Sequence, residues 1–194
     1  MLADKQPITD TIIPGTPICV SQRQAPLYDL YGREPGKARI IDAAKTSSHE
    51  VAAAQPLYTH VTFGTGLPAE LTVGVHKAVG GKSDFPNPGE ILAAAIAACL
   101  DSSTRMIANR LKICLEHLEV SVRLGVDVRG TLRMDGNVPV GFQDADISVR
   151  MKAAPDVTEA QLDRLAKAAE QSCVLLQTLR NPPQYRLSRQ PQSA

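Results

Sequence analysis

Alternating apolar and polar residues predict the strands of this chain. The clearest run extends from Leu118 to Val128, where Leu or Val stands at every second position between polar or small residues. This alternation indicates a strand with one buried and one exposed face. After a turn at residues 135–137, a second alternating strand is predicted with three residues inside: Ile147, Val149 and Met151.

Three earlier segments alternate less regularly. Residues 38–46, 56–63 and 70–79 are each predicted to form a strand. In the last of these, His76 stands between apolar residues and is expected on the exposed face rather than as a metal ligand. Gly80-Gly81 ends that strand.

A long helix is predicted from Asn87-Pro88 to about Leu111. Asn is a favoured N-cap, and Pro is favoured at the first helical position. From Ile91 to Leu100 the helix is apolar on every side, which is typical of a helix that is buried all round. Its inner stripe is expected to contain Leu92, Ile96, Cys99, Ser103 and Met106.

A last helix is predicted to begin at the capping-box sequence Thr158-x-x-Gln161 and to end before Asn181-Pro182-Pro183. Its inner stripe is expected to contain Leu162, Leu165, Ala169, Cys173 and Leu176. Cys99 and Cys173 are therefore each expected midway along the apolar stripe of a buried helix. If the two helices cross, the two sulfurs meet.

The order of these elements predicts an α+β domain, because strands are followed by a long helix and the sequence then repeats that order. Residues 1–36 are rich in Pro and Gly and are predicted to form an N-terminal arm with little regular structure; residues 37–194 form the domain. A helix that is apolar on every side needs complete cover. We therefore expect an obligate homodimer with a large apolar interface.

Composition and charge exclude several classes of function. The 21 Lys and Arg residues nearly balance the 20 Asp and Glu residues, giving a net charge of +1, which argues against nucleic-acid binding. No secretory signal is visible at the N-terminus. The longest apolar run has ten residues, whereas a membrane-spanning helix needs about twenty. A soluble, cytoplasmic protein with no membrane partner is expected.

The four cysteines are expected to be reduced, as is usual in the cytoplasm. No C-x-x-C pair and no His at zinc-finger spacing occurs, so neither a metal nor a cofactor is expected. Cys99 and Cys114 are 15 residues apart, about 22 Å along a helix and too far for a disulfide. Considered singly, Cys99 and Cys173 are ordinary core residues, and Glu90 stabilises the first turn of its helix.

Two motifs resemble those of the OsmC/Ohr family. The first comprises Gly80-Gly81 and the segment Pro88-x-Glu90-Ile91-Leu92-Ala93-Ala94-Ala95-Ile96-Ala97-Ala98-Cys99. The second is Ala168-Ala169-Glu170-Gln171-Ser172-Cys173-Val174. The resemblance covers about residues 37–180, and the strands between the motifs match the family's order of elements.

This resemblance implies curved antiparallel sheets packed around two long central helices, in an intertwined homodimer with two active sites at the subunit interface. It also implies a thiol-dependent peroxidase, active on organic hydroperoxides or hydrogen peroxide in oxidative-stress defence. By the same resemblance, Cys99 is the attacking thiol and Cys173 the resolving thiol. An external dithiol then reduces the resulting disulfide.

The peroxidase function requires a cation beside the attacking thiol. Peroxide cleavage needs a thiolate, but a thiol with an ordinary pKa of about 8.5 is mostly protonated at neutral pH. Cys99 is about three turns into its helix, too far for the helix dipole to act. In the family, an Arg in the loop after the first strand is hydrogen-bonded to a Glu. Here Lys45, or alternatively Arg39, is expected to be the cation, and Glu90 is expected to hold it.

Departures from the family pattern favour a second hypothesis. No Arg follows the first predicted strand, Gly89 stands where the peroxidases have their Glu, and Val174 replaces the Pro that follows the second cysteine. The alternative is a non-catalytic OsmC-like protein that binds a small apolar ligand or senses redox state through its thiols.

Overall fold

In the computed structural model, the described residues are 19–64 and 69–189. The chain divides into units of residues 1–39 and 40–194. The first unit contains helix α1, Val20–Arg33, and a 3₁₀ turn, Pro35–Ala38. The prediction of little regular structure in the arm is therefore wrong for residues 20–33, which are helical even though Pro26 lies inside the helix. The rest of that prediction, for residues 1–18, lies outside the described residues.

The second unit begins with a three-stranded antiparallel sheet. Its strands are β1 (Ala44–Thr46), β2 (Tyr58–Phe63) and β3 (Glu70–Gly74), in the order β1-β2-β3. Lys45 pairs with Thr62 across the first ladder, and His60 pairs with Thr72 across the second. The three predicted strands therefore exist but are shorter than predicted.

The segment after β3 is a turn rather than the predicted continuation of the strand. His76 caps a 3₁₀ turn at Lys77–Val79, and its Nδ1 accepts a hydrogen bond from the Ala78 N–H at 3.0 Å. The expectation that His76 lies on a strand face is wrong. A Cβ on Gly81 would lie 1.9 Å from the Val75 carbonyl oxygen, so this close approach of backbone to backbone requires glycine.

The long helix α2, Pro88–Leu111, is confirmed with both predicted ends. It buries one face, with Ile96, Leu100, Thr104 and Ala108 at intervals of four residues. The remaining surface is half-buried or exposed in the single chain, and Met106 is 43% exposed. One chain therefore covers only part of the helix, and the prediction that a second copy covers the rest stays a prediction. The stripe that contains Cys99 lies beside the buried face rather than at its centre.

By length and composition alone, α2 could cross a membrane; it is the one such helix within residues 19–64 and 69–189. Core helices of soluble proteins satisfy the same criterion. In this fold α2 packs against the strand that follows it and against the last two helices.

A two-stranded antiparallel sheet covers α2. It pairs β4 (Leu115–Gly125) with β5 (Asp144–Ala153), and Val120 lies opposite Val149. The alternation predicted for both strands is present in their burial. However, β4 ends at Gly125, and Val128 begins the short helix α3, Val128–Thr131, instead of continuing the strand.

The last helical region consists of two helices, α4 (Glu159–Ser172) and α5 (Val174–Arg180). Thr158 and Gln161 form the predicted capping box, and the helical region ends at Arg180 before Asn181, as predicted. Both α4 and α5 pack against α2. The helix is interrupted at Cys173, so the prediction that Cys173 lies midway along one helix is wrong. The predicted α+β class, with antiparallel sheets packed on long helices, is confirmed.

Candidate functional site

Cys173 occupies the single-residue break between α4 and α5. Its backbone is extended (φ −77°, ψ 106°), and it serves as the C-cap of one helix and the N-cap of the next. The residue is 0% exposed and belongs to a buried cluster with Leu100 and Ala169. The thiol is therefore held at a turn of the backbone inside the core.

Cys99 lies near Cys173. It is a half-buried residue of α2 that packs onto the buried cluster containing Cys173, and its side chain is near enough to influence the pKa of Cys173. The fold thus places both cysteines in one cluster, although Cys173 comes from a helix break rather than from a helix stripe. Because Cys99 is the more exposed of the two, a solute that approaches the pair reaches Cys99 first.

The pKa of the Cys173 thiol is raised above its ordinary value, chiefly because burial disfavours the thiolate. The backbone N–H groups of Leu176 and Leu175 oppose this effect and lower the pKa, while the nearby Cys99 side chain raises it further. Cys173 is therefore a protonated thiol at neutral pH, which can supply a proton when it reacts.

Glu90 caps α2. Its carboxylate Oε2 accepts hydrogen bonds from the Asn87 backbone N–H at 2.9 Å and from Asn87 Nδ2 at 2.8 Å. The Asn87 side chain in turn accepts from the N–H groups of Gly89 and Glu90. Glu90 precedes Cys99 by nine residues, which is about 14 Å along the helix axis. The geometry within one chain gives Glu90 a capping role and brings it to neither thiol.

Lys45 and Arg39 are exposed. Lys45 lies in β1, where its carbonyl oxygen accepts a hydrogen bond from Thr62 Oγ1 at 3.5 Å. Arg39 follows the first 3₁₀ turn, and its N–H donates to the Gly36 carbonyl. Among the residues that the structure describes, neither cation forms an ion pair with Glu90 or with any other carboxylate. A single chain therefore does not assemble the predicted Lys45–Glu90 pair.

A largely apolar cavity of about 670 Å³, which no sequence pattern predicted, shares Leu100 and Leu176 with the cluster that contains Cys173. It is lined by Leu100, Ile147, Val149, Ala166, Leu176 and Leu179, with Lys167, Glu170 and Arg180 completing the wall. Leu100 follows Cys99 directly in the chain. The cavity could not be read from the sequence because its wall combines one residue of α2 with residues from β5, α4 and α5.

Gln177 is a further feature of the site that the sequence did not predict. It lies in α5, and its side-chain amide donates to the Glu170 carbonyl oxygen at 3.0 Å across the break at Cys173. No pattern in the sequence could have singled it out, because the break itself was not predicted.

The other two cysteines, Cys19 and Cys114, are exposed, and all four are free thiols. Within residues 19–64 and 69–189, no group of three His, Cys, Asp or Glu side chains could hold a metal ion.

This α+β fold brings a buried, protonated thiol close to a more exposed one. The two cysteines form a candidate two-cysteine redox site. The family model described as "OsmC-like protein" matches residues 80–188, which is more than half of the chain. The chain belongs to the OsmC-like family, whose members are soluble and typically dimeric. No curated protein matches the sequence.

Solved structures share this fold at low sequence identity. An organic hydroperoxide resistance protein OsmC from Legionella pneumophila is 21% identical, with a TM-score of 0.55 over 73% of this chain and 90% of that chain. An organic hydroperoxide resistance protein from Elizabethkingia anophelis is 22% identical, with a TM-score of 0.54 over 74% and 91%. An OsmC-like protein from Mycoplasma pneumoniae is 12% identical, with a TM-score of 0.57 over 74% and 89%.

Proposed function

We propose that this protein is a cytoplasmic, homodimeric thiol peroxidase that reduces organic hydroperoxides or hydrogen peroxide. The observation that supports this function best is the packing of Cys99 onto the cluster that contains Cys173, the first cysteine being half-buried and the second buried. Two solved structures of the same fold carry the description of organic hydroperoxide resistance proteins. The proposal depends on the two cysteines together rather than on either one alone.

In the proposed reaction, the Cys99 thiolate attacks one oxygen of the hydroperoxide. The O–O bond breaks, Cys99 takes the terminal OH and becomes a sulfenic acid, and the alkoxide or hydroxide that leaves takes a proton from water. Cys173 then attacks the sulfenic sulfur, water leaves, and a Cys99–Cys173 disulfide forms. An external dithiol reduces this disulfide by thiol–disulfide exchange and is itself oxidised. The raised pKa of Cys173 keeps it protonated until the sulfenic acid is present.

The cation that favours the Cys99 thiolate is Lys45, with Arg39 as the alternative, and Glu90 holds that cation in the assembled dimer. The support for a dimer is the exposed apolar surface of α2, which includes Ala94, Ala95 and Ala98 next to Cys99. A second copy that covers this surface also removes water from the thiols, and removing water strengthens the interaction of a nearby cation with a thiolate.

A specific observation favours the second candidate function, binding of a small apolar ligand. The cavity of about 670 Å³ lies within the size range of small-molecule sites and is lined mainly by aliphatic side chains. In this alternative the thiols carry out no turnover and, at most, report the redox state of the cell.

Stopped-flow consumption of an organic hydroperoxide by the reduced protein tests the peroxidase function. Wild type is expected to consume the peroxide rapidly and to yield a Cys99–Cys173 disulfide in mass spectra after one equivalent. Cys99→Ser is expected to lose this activity, whereas the matched control Cys114→Ser, at an exposed cysteine, retains it. A Cys99→Ser protein as fast as wild type, or slow stepwise oxidation of all four thiols, overturns the proposal in favour of ligand binding or redox sensing.

A further inference from the structure

The break at Cys173 leaves the normal hydrogen bonding of a helix incomplete. In a continuous helix, the N–H of Val174 would donate to the carbonyl of Glu170, four residues earlier. Here Cys173 is extended, and its own N–H donates to the Glu170 carbonyl at a long 3.4 Å. This carbonyl, at the end of α4, therefore keeps capacity for a second donor.

Gln177 supplies that donor. Its side-chain Nε2–H donates to the Glu170 carbonyl oxygen at 3.0 Å, and the bond is partly buried. The backbone N–H of the same residue donates to the Cys173 carbonyl oxygen, also at 3.0 Å. Gln177 thus holds the chain on both sides of the break: its side chain is bonded to the helix before Cys173, and its backbone is bonded to Cys173 itself.

A second link across the break, the ion pair between Arg180 and Glu170, is different in kind. Both side chains are about half exposed, at 57% and 42%. Exposed ion pairs contribute little to a fixed geometry, because water and salt screen them and the long side chains remain free to move. The partly buried amide–carbonyl bond of Gln177 is therefore the stronger restraint on the angle between α4 and α5.

This restraint matters because the Cys173 backbone fixes the position of its sulfur. Cys99 packs onto the cluster that contains Cys173, and condensation of Cys173 with a sulfenic acid at Cys99 requires the two sulfurs to meet in line. We propose that Gln177 is a positioning residue that holds Cys173 in reach of Cys99, so that it accelerates formation of the disulfide and not the initial attack on peroxide. The catalytic part of this inference rests on the proposed peroxidase function.

The test uses Gln177→Met, which keeps the length of the side chain but has no N–H donor. The full-length reduced protein is mixed with tert-butyl hydroperoxide, and two rates are measured: formation of the Cys99 sulfenic acid, trapped with dimedone, and formation of the disulfide. The second rate is expected to fall at least fivefold while the first stays within twofold. Gln177→Lys, which restores a donor of similar reach, is expected to recover most of the second rate.

Thr178→Val is the matched control. Thr178 Oγ1 donates to the Val174 carbonyl at 2.8 Å, which is also a side-chain to backbone bond in α5 but does not cross the break. Both rates of this variant are expected to match wild type. An unchanged second rate in Gln177→Met, or an equal loss of both rates, overturns the inference, as does an equal effect of Thr178→Val.

An equilibrium measurement separates this inference from the proposed function. The fraction of Cys99–Cys173 disulfide is measured in mixtures of reduced and oxidised dithiothreitol, with no peroxide present. Gln177→Met is expected to lower the equilibrium constant for the disulfide at least fivefold. If wild type forms this disulfide with dithiothreitol but not with peroxide, the peroxidase proposal fails and the positioning role stands. If Gln177→Met leaves the equilibrium constant unchanged, the positioning role fails.

Discussion

Asn87 and Glu90 cap the first turn of α2 reciprocally. The Asn87 side chain accepts from the backbone N–H of Glu90 at 3.2 Å, and the Glu90 carboxylate accepts from the backbone N–H of Asn87 at 2.9 Å. The sequence is compatible with two roles for Glu90: a structural role in the first turn of the helix and a chemical role as partner of a cation. The structure supplies a full set of bonds for the first role.

Two variants of Glu90 separate these roles. Glu90→Gln keeps an acceptor for the capping box but removes the charge, so the free energy of unfolding is expected to stay within about 0.5 kcal/mol of wild type. Glu90→Ala removes the cap and is expected to cost about 1 kcal/mol. If Glu90 also holds a cation, Glu90→Gln slows peroxide consumption at least tenfold. Urea unfolding measures the stability and stopped-flow mixing measures the rate of peroxide consumption. Full activity of Glu90→Gln would mean that Glu90 serves only as the helix cap.

Replacing Lys45 tests the assignment of the cation. Lys45→Met keeps most of the aliphatic stem and removes the charge, so peroxide consumption at pH 7 is expected to fall at least tenfold, because a smaller fraction of the attacking thiol is ionised. Arg39→Met serves as the comparison and is expected to retain activity. If Arg39→Met loses activity and Lys45→Met retains it, Arg39 is the cation. Full activity in both variants contradicts a role for either residue.

The buried thiol gives the fold a dependence on alkaline pH. Burial raises the pKa of Cys173 above the ordinary value of a thiol, about 8.5. In the unfolded chain this thiol ionises near that ordinary value, whereas the folded protein holds the proton to higher pH. The stabilisation is therefore fully present below about pH 8.5 and is lost as pH rises through the folded-state pKa; each unit of difference corresponds to about 1.4 kcal/mol.

Urea unfolding between pH 7.5 and 10.5, in reducing buffer and at fixed protein concentration, measures this effect. Cys173→Ala is expected to lose less stability than wild type over that range, because its buried side chain has no proton to release. Cys114→Ala, at an exposed cysteine, is expected to follow the wild-type pH profile. Parallel profiles for wild type and Cys173→Ala contradict the prediction.

The exposed face of α2 leads to a prediction about assembly. Light scattering at micromolar concentration is expected to give twice the chain mass of 20.8 kDa. Ala98→Arg places a charge on this face and is expected to shift the mass toward one chain, because an unpaired charge is costly to bury in an apolar interface. Asp156→Arg, in the exposed turn before α4, is the control. A wild-type mass near 20.8 kDa refutes the obligate dimer.

Local signals predicted the ends of the long helices. Asn87-Pro88 and Thr158-x-x-Gln161 are capping sequences whose bonds involve only neighbouring residues, so the prediction needs no knowledge of the rest of the fold. The alternation of β4 and β5 was equally reliable, since it records one buried and one exposed face. The proximity of Cys99 and Cys173 was predicted from the crossing of the two helical regions that contain them.

What the sequence did not predict depends on distant contacts. The break at Cys173 contains no Gly or Pro, and Ala169, Cys173 and Leu176 keep the apolar spacing of a helix across it. The helices on both sides of the break pack against α2, which is distant in sequence. The apolar surface of α2 is a different case. Its pattern predicts that the surface is covered, which led to the prediction of a homodimer, but it does not identify the residues of the second copy that would cover it.

A disulfide between Cys99 and Cys173 would change the topology of the chain as a polymer. A bond between them closes a ring of about 75 residues that contains β4, α3, β5 and α4. Closing a ring of this size lowers the entropy of the unfolded chain by an amount equivalent to about 4 kcal/mol. In the proposed cycle, each oxidation and reduction would therefore convert the protein between a linear and a cyclic polymer, and resistance to heat would report its redox state.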